Sequence, residues 1–247
     1  YPYVYAKSLI EDCVPLIKDY SEDSIPVLDE ENRMLGVVTA QSLIQTVDDA
    51  LSEDYARLAG LSAEEDLNET LVQSVRKRLP WLLALLGLGM VVSSVVGLFE
   101  SVVAQLTLIV CFQSLVLDMA GNVGTQSLAV TIRVLMDSET TGAQKRKLVW
   151  KEARVGLMNG AILGAASFAL IGAYLLLRGE AALMAFGVSG CIGIALIAAM
   201  LLSSISGTVI PIFFKKIGVD PAVASGPLIT TVNDLVAVVS YYGLTWL

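Results

Sequence analysis

From residue 80 onward the chain alternates between long apolar stretches and short polar or basic breaks. Crossing a bilayer takes about 20 apolar residues. Five stretches meet that need: 80–99, 102–135, 155–177, 181–214 and 221–247. The second and fourth are longer than a span requires, so they are expected to tilt, break or run past the bilayer, with glycines and Pro211 as break points. Before residue 80 the rhythm is different. Leu9, Cys13, Val14, Leu16 and Ile17 form one helical stripe. Ser24–Leu28 reads as a short strand, Asp29–Asn32 as a turn and Met34–Thr39 as the returning strand, and Thr39 caps a helix that begins near Ala40. The opening YPYVY fits neither pattern and reads as a tag remnant or a displaced fragment. The expected fold is mainly α: a five-helix transmembrane domain joined to a small α+β module.

Composition sharpens this picture. Of 247 residues, 55% are hydrophobic, which is too apolar for an ordinary soluble domain. Residues 1–75 hold 16 Asp+Glu against 4 Lys+Arg, and the remainder 8 against 12, which together make the net charge of -8. An acidic head is therefore joined to a weakly basic membrane part, and nucleic acid is excluded as a partner. Membrane lipid is the expected surroundings. Arg76, Lys77 and Arg78 precede the first span, Arg133 to Arg154 supply six bases around the second-to-third connection, and Lys215 and Lys216 precede the fifth span. Arg178 stands alone on the other side. The positive-inside rule puts the head in the cytoplasm and the C-terminus outside. Cys13, Cys111 and Cys191 follow no metal spacing and read as small core residues. The chain has no histidine, which argues against histidine-based zinc or haem sites.

The candidate chemistry lies in two spans. The fifth carries Asp234 near its centre, and an acid at bilayer depth is costly and by default functional. Asp220 and Pro221 open this span as an N-cap acid and a proline at the first helical position. Pro227 then interrupts the helix, because it has no N–H for the carbonyl of Val223. Gly226, Thr230 and Asp234 fall at i, i+4 and i+8, on one face. Backbone oxygen, hydroxyl and carboxylate are hard donors that suit Mg2+ or Ca2+. The blander alternative is a structural Asp paired with a neighbouring helix. In the second span, Asp118, Asn122 and Gln126 share a face at the same spacing, with Thr125 beside them. This stripe reads either as helix–helix contact or as the second wall of a hydrophilic path.

Three stretches carry a family resemblance. AGNVGTQSLAVTIRVL, DPAVASGPLITTVNDL and SVRKRLPWLLALLGLGMVVSSVVGLFES resemble the second, fifth and first spans of the MgtE family of magnesium channels and transporters. IPVLDEENRMLGVVT and the following helix resemble the second half of a CBS repeat. The resemblance divides the chain into a partial CBS-like cytoplasmic module at 1–50, an acidic connecting plug helix at 51–79 and a five-span membrane domain at 80–247. The family's acidic N-terminal domain and first CBS repeat lie outside the stretch it covers. The resemblance implies a homodimer with a pore lined by the second and fifth spans, in which Asp234 binds hydrated Mg2+. It places Asp220 at the cytoplasmic mouth and Glu100 at the outer end, and Glu53 and Asp54 among acids through which cytoplasmic Mg2+ closes the pore. The resemblance to CBS repeats further implies a sensor for adenine nucleotides, such as ATP, or for metal ions.

The expected function is a Mg2+-selective, channel-like transporter of the cell membrane, gated by internal Mg2+. One rival is a transporter of Co2+, Mn2+ or Ca2+, or a Na+-coupled exchanger. Another is a non-transporting receptor whose head senses ions or nucleotides. An enzyme is not expected, since no nucleophile–base pair, phosphate-cradling loop or Cys/His metal set is present.

Overall fold

The computed structural model describes residues 2–8, 23–61, 68–99, 107–135, 140–224 and 226–246. The chain forms two units, Tyr1–Ala56 and Arg57–Leu247.

The first unit holds a three-stranded sheet ordered β1 (Val4–Tyr5), β2 (Ser24–Leu28), β3 (Met34–Thr39). The β2 and β3 bounds are those expected. Val4 and Tyr5 pair in parallel with Val27 and Leu28, so the YPYVY opening supplies an edge strand. β2 and β3 pair antiparallel from Ser24↔Thr39, with an irregularity at Val27/Leu28. The turn is built locally. Asp29 Oδ1 accepts the backbone N–H groups of Glu31 and Arg33 at 3.0 and 2.7 Å, and its Oδ2 accepts Arg33 Nε at 3.0 Å. Asn32 has a φ of 59°, a left-handed conformation that asparagine tolerates better than most residues. Val4, Ile25 and Leu43 close a small core. Leu43 belongs to α1 (Ala40–Leu58), which opens where Thr39 Oγ1 accepts the Ser42 N–H at 3.1 Å. The helical stripe expected over residues 9–17 lies outside the described residues.

The second unit consists of long helices: α2 (Leu71–Leu98), α3 (Thr107–Leu135), α4 (Gly142–Leu177), α5 (Ala182–Lys216) and α6 (Gly226–Trp246). Among the described residues four helices, α2 to α5, are long and apolar enough to cross a membrane. α6, the expected fifth span, has 21 residues and carries the polar pair Asn233–Asp234 in its middle. The mainly helical class and the small sheet agree with expectation, but several boundaries move. α2 starts at Leu71 rather than 80, because Thr70 and Gln73 form a capping box. Arg76, Lys77 and Arg78 therefore lie on the helix, and Pro80 lies within it. Lys77 pairs with Glu69. α4 starts at Gly142 rather than 155, for the same reason at Thr141 and Gln144. α5 runs unbroken through Pro211, and α3 unbroken through Gly121 and Gly124. Segment 51–79 comprises the end of α1, a turn with Gly60 at φ 83° and the start of α2, with residues 62–67 outside the described set.

α5 is the central helix. Ala185, Ile192, Ala195 and Ala199 are fully buried in one core with Val116 and Ala120 of α3, Leu175 of α4 and Tyr241 of α6. α4 and α5 meet through backbone: a Cβ on Gly164 would lie 2.7 Å from the Gly193 carbonyl oxygen. Small residues at such crossings let helices approach closely, and dispersion contacts then hold them where lipid supplies little hydrophobic drive. Buried residues in this unit also anchor α6 to α3. Tyr241 donates its hydroxyl to the Ile109 carbonyl at 2.7 Å, and Tyr242 to Gln113 Oε1 at 2.6 Å. No residue of α2 is buried, although Val92, Val95 and Val96 pack partly against the main core. Cys111 is exposed on α3 and Cys191 half-buried on α5, so the expected core role does not hold for Cys111. Cys13 lies outside the described residues.

Candidate functional site

α3 and α6 run antiparallel, which aligns the two polar stripes expected from the sequence. Thr125 Cγ2 lies 3.8 Å from where a Cβ on Gly226 would sit. Thr230 Cγ2 lies 3.2 Å from the corresponding point on Gly121, one turn further along. At the next turn Asp118 comes within electrostatic range of Asp234. A seam of hydroxyls and small residues thus ends in two acids contributed by different helices.

The oxygens along the seam are already hydrogen-bonded. Thr230 Oγ1 donates to the Gly226 carbonyl at 2.9 Å, and Thr125 Oγ1 donates to the Gly121 carbonyl at 2.9 Å. Each carbonyl also accepts the helical N–H four residues on, so both of its lone pairs are engaged. Pro227 does not interrupt a helix as expected. The chain makes a 3-10 turn at Pro221–Val223 and α6 begins only at Gly226, so Pro227 lies in its first turn, where a missing N–H costs nothing. Val223 therefore stands apart from the Gly226–Thr230–Asp234 face. With Arg57, Gly60, Leu61, Pro80 and Trp81 it lines a cavity of about 300 Å³.

Asp220 caps the 3-10 turn: its Oδ1 accepts the Ala222 N–H at 2.9 Å, and its Oδ2 pairs with Arg57. Asp234 is half-buried, whereas Asp118, Asn122 and Gln126 are exposed on one face of α3. Among the described residues no three His, Cys, Asp or Glu side chains gather into a metal-binding group. The described part of one chain thus offers two carboxylates and neutral oxygens, which suits an ion that keeps its water. Glu53 is exposed on α1, and Glu100 and the Asp54 side chain lie outside the described set.

Three residues here escaped the sequence reading. Arg57 is the single base between Arg33 and Arg76, a signal that was available. Glu152 is 4% exposed on α4. Ser127 of α3 donates to its Oε2 at 3.1 Å, and Ser204 of α5 donates to its carbonyl at 2.7 Å. It ties three helices together, and the signal was an acid alone between Glu139 and Glu180. Asn233 is fully buried, and its Oδ1 accepts from Ser206 of α5 at 2.6 Å.

Comparison with known proteins identifies relatives of this chain. The profile of the MgtE family, described as a divalent cation transporter, matches residues 113–244, which hold most of α3, all of α4 and α5, and nearly all of α6. The chain is 36% identical over 234 residues to the magnesium transporter MgtE of Enterococcus faecalis, covering 95% of this chain and 50% of that protein. It is 35% identical over 234 residues to that of Bacillus subtilis, covering 95% and 50%. Against the Thermus thermophilus protein it is 30% identical over 241 residues, covering 97% and 52%. The chain thus spans about half the length of these curated relatives. With more than half of its residues matched by the family profile, the chain belongs to the MgtE family of divalent cation transporters.

Proposed function

We propose that this chain carries Mg2+ across the cell membrane, with the hydrated ion following the α3–α6 seam. The observation that supports this most directly is the aligned row of small and hydroxyl-bearing residues, Thr125 against Gly226 and Gly121 against Thr230, which Asp118 and Asp234 follow on their own helices. Mg2+ dehydrates reluctantly, so a pathway for it needs width, carbonyl oxygens and charge rather than a closed cage. In this reading α6 is a fifth span. Two copies meet across the exposed Asp118–Asn122–Gln126 face of α3 and line one pore. The four carboxylates of the pair balance divalent charge better than monovalent charge. The basic residues near the starts of α2 and α4 and the ends of α3 and α5 face the cytoplasm, with the acidic head.

The head is a CBS-like module that takes an adenine nucleotide. Its acids Asp48, Asp49 and Glu53, with Asp54, bind internal Mg2+ and favour a closed state that has more ion contacts than the open one. Flux into liposomes holding the purified chain tests the central claim, with Mg2+, Ca2+, Mn2+ and Na+ compared. Mg2+ passes preferentially, and Asp234→Asn, which keeps shape and removes charge, lowers the flux at least about tenfold. Unchanged flux in a well-folded Asp234→Asn protein rejects the reading.

A further inference from the structure

Asn233 adjoins Asp234 in sequence but faces another way. It is fully buried where three helices cross, and the crossing leaves it no slack. A Cβ on Gly207 of α5 would lie 2.3 Å from the Gly124 carbonyl oxygen of α3, so those two backbones touch. A Cβ on Gly124 would lie 1.7 Å from Asn233 Nδ2, so the amide rests in the space that the missing side chain leaves. On its other edge, Oδ1 accepts from Ser206 Oγ at 2.6 Å, and Ser206 also approaches the Ser203 carbonyl at 3.0 Å. Nδ2 has no hydrogen-bond partner among the described residues. A leucine would fill the same volume without burying an unpaired donor, so packing alone does not explain an amide here. What the amide adds is direction. It touches one neighbouring helix through shape and the other through a hydrogen bond, and together these determine how α6 is turned about its axis. Successive residues of a helix are about 100° apart, so fixing Asn233 also fixes the side on which Asp234 emerges.

We propose that Asn233 is a positioning residue: seated on Gly124 and held by Ser206, it sets the rotation of α6 that keeps the Asp234 carboxylate on the face shared with Asp118. The role in transport rests on the reading that Asp234 meets the ion; the rotation itself does not. Asn233→Leu keeps the volume and removes the hydrogen bond. It raises the Mg2+ concentration for half-maximal flux about tenfold, the usual scale for loss of a group supporting a metal ligand, while the maximal flux falls less.

The rotation is read separately by cysteine labelling in a background without Cys13, Cys111 and Cys191. A water-soluble thiol reagent reacts several-fold more slowly at Asp234→Cys once Asn233→Leu is added, and equally fast at Asn122→Cys on α3. Unchanged labelling at Asp234→Cys, or an equal change at both positions, overturns the proposal. If Asn233→Leu fails to fold, Ser206→Ala removes the same hydrogen bond and is judged by the same outcomes. Full flux in Asp234→Asn refutes the transport reading and leaves the labelling result to decide the rotation.

Discussion

The backbone approach of α3 and α5 at Gly124 and Gly207 makes a sharp prediction through Gly207→Ala. The added methyl would sit 2.3 Å from the Gly124 carbonyl oxygen, 3.1 Å from its carbonyl carbon and 3.2 Å from its Cα. Ordinary contact begins near 3.4 Å, so α3 and α5 must separate by about 1 Å, and only backbone is present to yield. Overpacking of this kind costs about 1–3 kcal/mol, and alanine returns up to about 1 kcal/mol through its better helix propensity. The control is Gly187→Ala on the same helix, where a Cβ meets nothing within 4 Å. Thermal unfolding of the purified chain in detergent compares the two. For a chain of this size 1 kcal/mol moves the midpoint roughly 2–4 °C, so Gly207→Ala lowers it by several degrees and Gly187→Ala holds or raises it. Equal midpoints for the two variants would refute the close approach of α3 and α5 at this level. Because the separation also lifts Gly124 away from Asn233, Gly207→Ala reduces Mg2+ flux by more than its loss of folded protein accounts for.

Tyr241→Phe removes a buried hydroxyl from the Ile109 carbonyl and lowers stability by about 1–2 kcal/mol in the same unfolding assay. Asp118→Ala leaves part of the Mg2+ flux but narrows the preference for divalent over monovalent ions, measured by competition in liposomes, because one of the two neighbouring charges on the seam is lost. Millimolar internal Mg2+ closes the pathway in inside-out patches, and Glu53→Gln combined with Asp54→Asn shifts that inhibition to higher Mg2+; an unchanged inhibition curve removes both acids from the sensor. Raising salt from low to physiological strength weakens the coupling between Arg57 and Asp220, because both side chains are about one-third exposed (35% and 34%). A double-mutant cycle at two salt concentrations measures it.

Local sequence determined the elements whose partners lie close along the chain. β2, β3 and the Asp29 turn follow from alternation and from a carboxylate bonding its own loop two and four residues on. The capping boxes at Thr70 and Thr141 are equally local, and they place the starts of α2 and α4 where hydropathy alone placed them too late. The two polar stripes were also readable, since i, i+4 spacing is a property of a single helix. That the stripes align was not readable. Thr125 meets Gly226, Gly121 meets Thr230 and Asp118 nears Asp234 because α3 and α6 are antiparallel in one register, anchored by Tyr241 and Tyr242 far along the seam. Asn233, Glu152 and Arg57 make the same point. Their partners Ser206, Ser127, Ser204 and Asp220 lie on other segments, Asp220 163 residues from Arg57. Periodicity states which side of a helix is polar. Which helix that side meets, and at what height, depends on rotation and register, and these are set by backbone contacts such as Gly124 against Gly207, which exist only once the helices are packed.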